Sequence, residues 1–142
     1  MDAENEQSRF LENSVVRRHR CEWNTKKING RRETGTRKEE LAADFLTRRG
    51  VKILERNFRC RQGEIDLIGM DGQYLVFVEV KYRKTARNGM PAEAVGHIKQ
   101  QRIRYTAQFY LYSRHYREDM PCRFDVVSIL GDQINWIRDA FA

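Results

Sequence analysis

No apolar run in the 142-residue chain approaches the roughly 20 residues that a membrane-spanning helix needs, so no membrane partner is expected. Cysteine is scarce. Cys21, Cys60 and Cys122 are odd in number, far apart and in no CxxC pair, which argues against a disulfide framework and against a zinc site. The three histidines, His19, His97 and His115, share no metal-ligand spacing. The opening residues, "MDAENEQSRFLENSVVRRHR", lack the charged start and apolar block of a secretory signal. A cytoplasmic protein with reduced thiols is the expectation. No internal repeat is present.

What the chain does have is positive charge. Lys and Arg number 27 against 20 Asp and Glu, a formal net charge of +7, the balance of a protein that meets polyanions. Hydrophobic residues, at 40%, suffice for one modest core, and the length suits one domain with an appendage. Residues 1–34 carry "RRHR", "NTKK" and "NGRRE" with only scattered apolar positions, so a disordered basic and polar N-terminal extension is expected there, followed by a domain over 35–142.

Within that domain, Leu41, Ala42, Phe45 and Leu46 recur at helical spacing before Gly50, predicting a helix over Lys38 to Arg49. "VKILERNFRC", "EIDLIG" and "YLVFVEVKY" read as three strands, the last two joined through a hairpin at Asp71-Gly72. After the loop "RKTARNGMP", a long amphipathic helix follows Pro91, with Val95, Ile98, Ile103, Ala107, Tyr110 and Leu111 on its apolar stripe. "RFDVVSIL" and, after Gly131-Asp132, "INWI" are further strands. A strand, a crossover helix and a strand imply a parallel pairing, so the fold class is α/β: a mixed sheet with an antiparallel three-strand meander, a crossover helix and a parallel strand, flanked by helices.

The chemistry concentrates in "GEIDLIGMDGQYLVFVEVK". If Asp71 and Gly72 are the two turn residues, Glu64 faces Glu79, Asp66 faces Phe77, and Asp66 and Glu79 are diagonal neighbours about 7–8 Å apart at the backbone. Lys81 projects from the same face as Glu79. Tyr74 to Val78 is apolar on both faces, so Glu79 ends a buried strand, where an unpaired carboxylate costs at least several kcal/mol. A divalent ion would relieve the excess negative charge. Mg²⁺, with Mn²⁺ as a substitute, suits carboxylates shared with substrate phosphates, and hydrolysis of a phosphodiester could follow, with Lys81 at the attacking water. The competing structural reading is an exposed Glu64–Lys81 pair worth less than about 1 kcal/mol.

"GEIDLIG", "LVFVEVKYR" and "GMPAEAV", followed by Lys99 and "RFDVV", are similar, in order and spacing from Gly35 to Ile129, to the YraN-like family of small proteins with a restriction-endonuclease-like fold. The resemblance implies a PD-(D/E)xK nuclease core: Asp66 and Glu79 as metal-binding carboxylates, the Val80 carbonyl as a further ligand, and Lys81 as the motif's lysine. Ile65 stands where the general motif has proline. Related folds often add an acidic residue from the first helix, a position matched by Glu39, although Thr36 and Glu39 also form the T-x-x-E pattern of a capping box. Lys38 occupies a position where the family usually has glycine.

Lys99 and Arg102 are candidate phosphate contacts, with snorkelling at the border of the helix as the alternative. Asp125 is expected to pair with Arg123, and Gly63 to serve a turn. The leading expectation is therefore metal-dependent, endonuclease-like cleavage of nucleic acid, with DNA as the expected polymer and a homodimer left open. The alternative is a non-catalytic nucleic-acid-binding module of the same fold within a repair, recombination or uptake complex.

Overall fold

The structure, a computed structural model, describes residues 30–83 and 95–142, with side chains in the first helix from Arg37 onward. Residues 1–29 of the extension expected over 1–34, and residues 84–94, which include most of the expected loop, lie outside the described residues. In chain order the elements are α1 (Gly30–Arg48), β1 (Lys52–Cys60), β2 (Gly63–Asp71), β3 (Tyr74–Arg83), α2 (His97–Ser113), β4 (Cys122–Leu130) and β5 (Gln133–Phe141). The strands form one sheet in sequence order. β3 and β4 run parallel, and the other three pairings are antiparallel. This is the expected mixed α/β sheet, compatible with a restriction-endonuclease-like fold.

α1 reaches well upstream of Lys38, as far as Gly30. Residues 30–37 read Gly-Arg-Arg-Glu-Thr-Gly-Thr-Arg, in which Arg and Glu favour a helix while the two Gly and two Thr do not. With α1 starting at Gly30, Thr36 lies inside the helix, which removes the N-cap position that the capping-box reading of Thr36 and Glu39 requires. The C-terminal end behaves as expected: the Gly50 N–H donates to Thr47 and the Val51 N–H to Leu46, with Gly50 at φ 91°, the paired bonds of a Schellman stop.

One helix covers each face of the sheet. Against α1, Ala42, Ala43 and Leu46 pack on Leu67, Val76, Val78, Val127 and Ile129. On the other face, Ile103, Ala107 and Tyr110 of α2 pack on Phe58, Ile65, Ile68, Phe77 and Val126. Tyr110 meets Phe58 and Phe77 edge-on at 5.1 and 5.9 Å between centroids, a preferred aromatic geometry. β3 is buried on both faces from Leu75 to Glu79, as its unbroken apolar run predicts. Ile98 departs from its predicted place on the stripe and is 70% exposed. Val95, just before α2, is buried as expected.

The β2–β3 register also differs from expectation. Asp71 pairs with Tyr74, so the two turn residues are Gly72 and Gln73. Gly72, at φ 59°, takes the first turn position, where a Cβ would be strained. Phe77 consequently faces Ile68 rather than Asp66. The same turn placement recurs between β4 and β5, with Leu130 paired to Gln133 and Gly131 at φ 57°.

Candidate functional site

The β2–β3 ladder runs from the turn only to Leu67–Val78. Beyond it, β2 stays paired to β1 as far as Gly63, and β3 stays paired to β4 as far as Arg83. The two central strands thus part at one end of the sheet. At the parting, a side chain takes over the ladder's role: the Val80 N–H donates to the Asp66 Oδ2 at 2.8 Å. Continuing the observed register brings Asp66 abreast of Glu79, a closer relation than the diagonal one that the shifted register implied. Asp66 is 9% and Glu79 6% exposed.

The opening admits side chains from both helical layers. Val78 and Val80 pack toward α1, so Glu79 and Lys81 alternate to the α2 side, and there the Lys99 Nζ of α2 forms an ion pair with the Glu79 Oε1. From α1, the half-buried Glu39 carboxyl approaches Asp66 and Asn57 of β1 closely enough for each to act on its acidity. Two buried carboxyls, a third from the helix and one ammonium therefore converge where the sheet opens.

The electrostatics follow from that crowding. Burial, then the neighbouring Glu79 charge, push the Asp66 carboxyl up to about 8, against the lowering effect of the Val80 N–H. Burial also raises Glu39, while the Asn57 hydrogen bond opposes it. Burial alone would lower Lys99, but its bond to Glu79 and the charges of Glu79, Asp66 and Glu64 outweigh that and raise it. The ammonium is thus fixed in its charged form.

Other nominated residues are placed differently. Glu64 lies on the exposed side of β2 and pairs with Arg59 at 2.9 Å, so it acts on the cluster only through its charge. Lys81 is half-buried and has a partner of its own. Arg102 is exposed on α2. Gly63 serves close packing: a Cβ there would lie 3.2 Å from the Thr106 Oγ1 and 3.4 Å from the Arg102 Cβ, because β2 begins directly beneath α2.

Asp125 is fully buried and accepts from Arg123 as expected, and also from the Trp136 Nε1 and the Asp139 N–H, each at 2.9 Å. That set is structural, securing the β4–β5 irregularity between Phe124 and Val126, with Asp139 at φ 52°.

Asn57 was not anticipated from the sequence. Its φ of 53° is a left-handed conformation that asparagine tolerates better than other residues with a side chain. A lone Asn inside an otherwise strand-like run was the available signal.

Among the described residues, no group of three His, Cys, Asp or Glu side chains is arranged to hold a metal ion. Mg²⁺ does not require one, because it keeps several waters and is held by one or two carboxylates together with substrate oxygens. Asp66 and Glu79 are hard oxygen donors, adjacent and buried, and the proton that their crowding leaves on Asp66 is one that a cation would displace; in that respect they fit such an ion.

A model of the Uncharacterised protein family UPF0102 matches residues 38–129, a span that contains α1's C-terminal half, the whole acidic site and α2. The chain belongs to the UPF0102 family. The UPF0102 protein of Lachnoclostridium phytofermentans is 50% identical over 107 residues, covering 75% of this chain and 91% of the relative. That of Saccharophagus degradans is 48% identical over 109 residues, covering 77% and 92%, and that of Caldanaerobacter subterraneus is 44% identical over 123 residues, covering 82% and 99%. The UPF0102 match ends at Ile129, within β4, so β5 lies beyond it. No helix among the described residues is long and apolar enough to cross a membrane.

Proposed function

We propose that this UPF0102 protein is a metal-dependent phosphodiesterase that cleaves nucleic acid endonucleolytically, with DNA as the expected polymer. The observation that carries the reading is the adjacency of two buried carboxyls from parted neighbouring strands, Asp66 and Glu79, with a lysine two residues beyond Glu79. Asp66 and Glu79 would hold Mg²⁺ or Mn²⁺, with the Val80 carbonyl as a further oxygen and Glu64 at the periphery. The ion would supply Lewis-acid polarisation of the phosphoryl group.

The chain's own side chains do the remaining work. Glu39, beside Asp66, can orient water entering the opening. Lys81, on the Glu79 side of β3, positions the attacking water and offsets developing negative charge. Lys99 neutralises Glu79 in the free protein. Once Glu79 is otherwise occupied, its ammonium is available to a phosphate oxygen, with Arg102 one helical turn further on.

The test is a cleavage panel of single-stranded, duplex, flap and four-way DNA in Mg²⁺ or Mn²⁺, run with wild type, Asp66→Ala and Lys81→Ala. Cleavage by wild type that both variants abolish supports the reading. A folded wild type that cuts nothing and shows no Mn²⁺ binding in a calorimetric titration overturns it. The absence of a three-ligand acidic group among the described residues favours a second reading, a nucleic-acid-binding module that does not cut. For that protein, affinity responds to salt and ignores Asp66→Ala.

A further inference from the structure

α2 carries a second face that the acidic site does not use. Ile98, Tyr105, Phe109 and Tyr112 are 70%, 50%, 45% and 83% exposed. At about 100° per residue they fall within one arc roughly 60° wide, turned away from the buried Ile103, Ala107 and Tyr110. Large apolar groups gathered on one exposed helical face signal a partner rather than the scattered exposure of any surface.

The charge of α2 indicates which partner. From His97 to Arg117 the chain has no Asp or Glu and contains Lys99, Arg102, Arg104, Arg114 and Arg117. Arg104 is tied to the Ala142 carbonyl and Gln100, Arg114 to Glu55 and Arg117 to Asp119. Arg102, beside the aromatic arc and exposed, has no side-chain partner among the described residues. A second copy of this face would set one basic helix and unpaired Arg102 against another, whereas a polyanion with flat apolar groups satisfies both the aromatics and Arg102.

Single-stranded nucleic acid has that chemistry. Its unpaired bases stack on aromatic rings while its phosphates meet arginine and lysine. In a duplex the base faces are already stacked. Phe109 is held firm for such a role by Phe58 beneath it, ring to ring at 6.3 Å and 30°.

We infer that the exposed face of α2 is a stacking track for single-stranded nucleic acid, with Tyr105, Phe109 and Tyr112 against bases and Arg102 on the backbone. Lys99, on the same helix, reaches Glu79, and Arg102 lies between Lys99 and the aromatic arc around the helix. The inference rests on the proposed nucleic-acid function and specifies its substrate: a strand that is unpaired where it crosses α2.

The test is fluorescence anisotropy of the full chain with a labelled thymidine oligonucleotide and a matched duplex, in EDTA so that no cleavage intervenes. Wild type should prefer the single strand. Tyr105→Ala combined with Tyr112→Ala should weaken single-strand binding by about tenfold or more, since removing a stacking ring costs roughly fivefold to over a hundredfold. Tyr105→Phe with Tyr112→Phe should restore it, and Arg102→Gln should lower the salt slope by about one.

A preference for duplex, or single-strand affinity unchanged in the double alanine variant, would overturn the inference. So would sedimentation showing a wild-type dimer that the same variant dissolves, or binding of an acidic protein in place of the oligonucleotide. Because these readouts need no metal, loss of the track leaves cleavage through Asp66 and Glu79 standing, and loss of cleavage in Asp66→Ala leaves the track standing.

Discussion

Replacing Asp66 by asparagine keeps an oxygen for the Val80 N–H and removes the charge, which makes the crowding of the acidic site measurable as stability. The Asp66 carboxyl sits near 8 in the folded chain against an ordinary 3.8. Between those values the folded protein holds a proton that the unfolded chain has released. Stability therefore falls as pH rises through that window, by up to about 1.4 kcal/mol per pH unit, and levels off above about pH 8. Over the whole window the ceiling is about 6 kcal/mol. Water entering the opened ladder and sharing of the proton with Glu79 bring the expected loss to about 2–3 kcal/mol. Asp66→Asn lacks this loss, so the two proteins should be about equally stable near pH 4, with the variant ahead by that margin near pH 8. Urea unfolding at stepped pH in EDTA, extrapolated linearly, measures the difference. Parallel pH profiles for the two proteins would refute the burial of Asp66 beside Glu79. If the site takes Mg²⁺ or Mn²⁺, adding either at pH 8 should raise wild-type stability by mass action and leave the variant unmoved.

A Cβ at Gly69 would lie 2.8 Å from the Lys52 carbonyl oxygen; Gly69→Ala should cost about 1–3 kcal/mol, and an unchanged urea midpoint would show that β1 can move aside. Asp125→Ala leaves the largely buried Arg123 without its buried carboxylate and should cost about 3–5 kcal/mol, with near-wild-type thermal stability as the contrary result. At Asn57, glycine keeps the left-handed backbone while valine does not, so Asn57→Val should be less stable than Asn57→Gly by about 1–2 kcal/mol. Equal midpoints for the two would mean that the strand simply re-forms around position 57.

Much of the fold is legible because periodicity reports burial. The unbroken apolar run of β3 marks a strand covered on both faces, and the spacing of Ile103, Ala107 and Tyr110 marks the face of α2 that meets it. Gly50 ends α1 for a reason that glycine alone announces. Spacing misplaces Ile98 because the surface of α2 is apolar twice over, on the buried face and again along Ile98, Tyr105, Phe109 and Tyr112, and a pattern of hydrophobic positions does not state which face meets the sheet. The start of α1 was missed for the opposite reason. Its first turns have no apolar stripe to detect, and their mixture of Gly and Thr with Arg and Glu does not announce a helix by propensity.

The acidic site depends on a smaller uncertainty with larger consequences. An Asp-Gly pair signals a hairpin, but it does not state whether the pair is the loop or whether Gly begins it. Placing Gly72 first moves the partner of every β2 residue by two positions, which preserves the faces and so leaves the core prediction intact. At the open end the same shift changes the electrostatics: it carries Glu64 away from Glu79 and brings Asp66 abreast of it. Two carboxyls set side by side repel far more strongly than two set diagonally across a pleat. Lys99 supplies one compensating charge from α2, and Glu39, arriving from α1, adds another acid. The crowding is thus met in the free chain by Lys99 and by the proton that Asp66 keeps up to about pH 8, and it is this displaceable proton, more than the motif's letters, that makes a cation the expected occupant between β2 and β3.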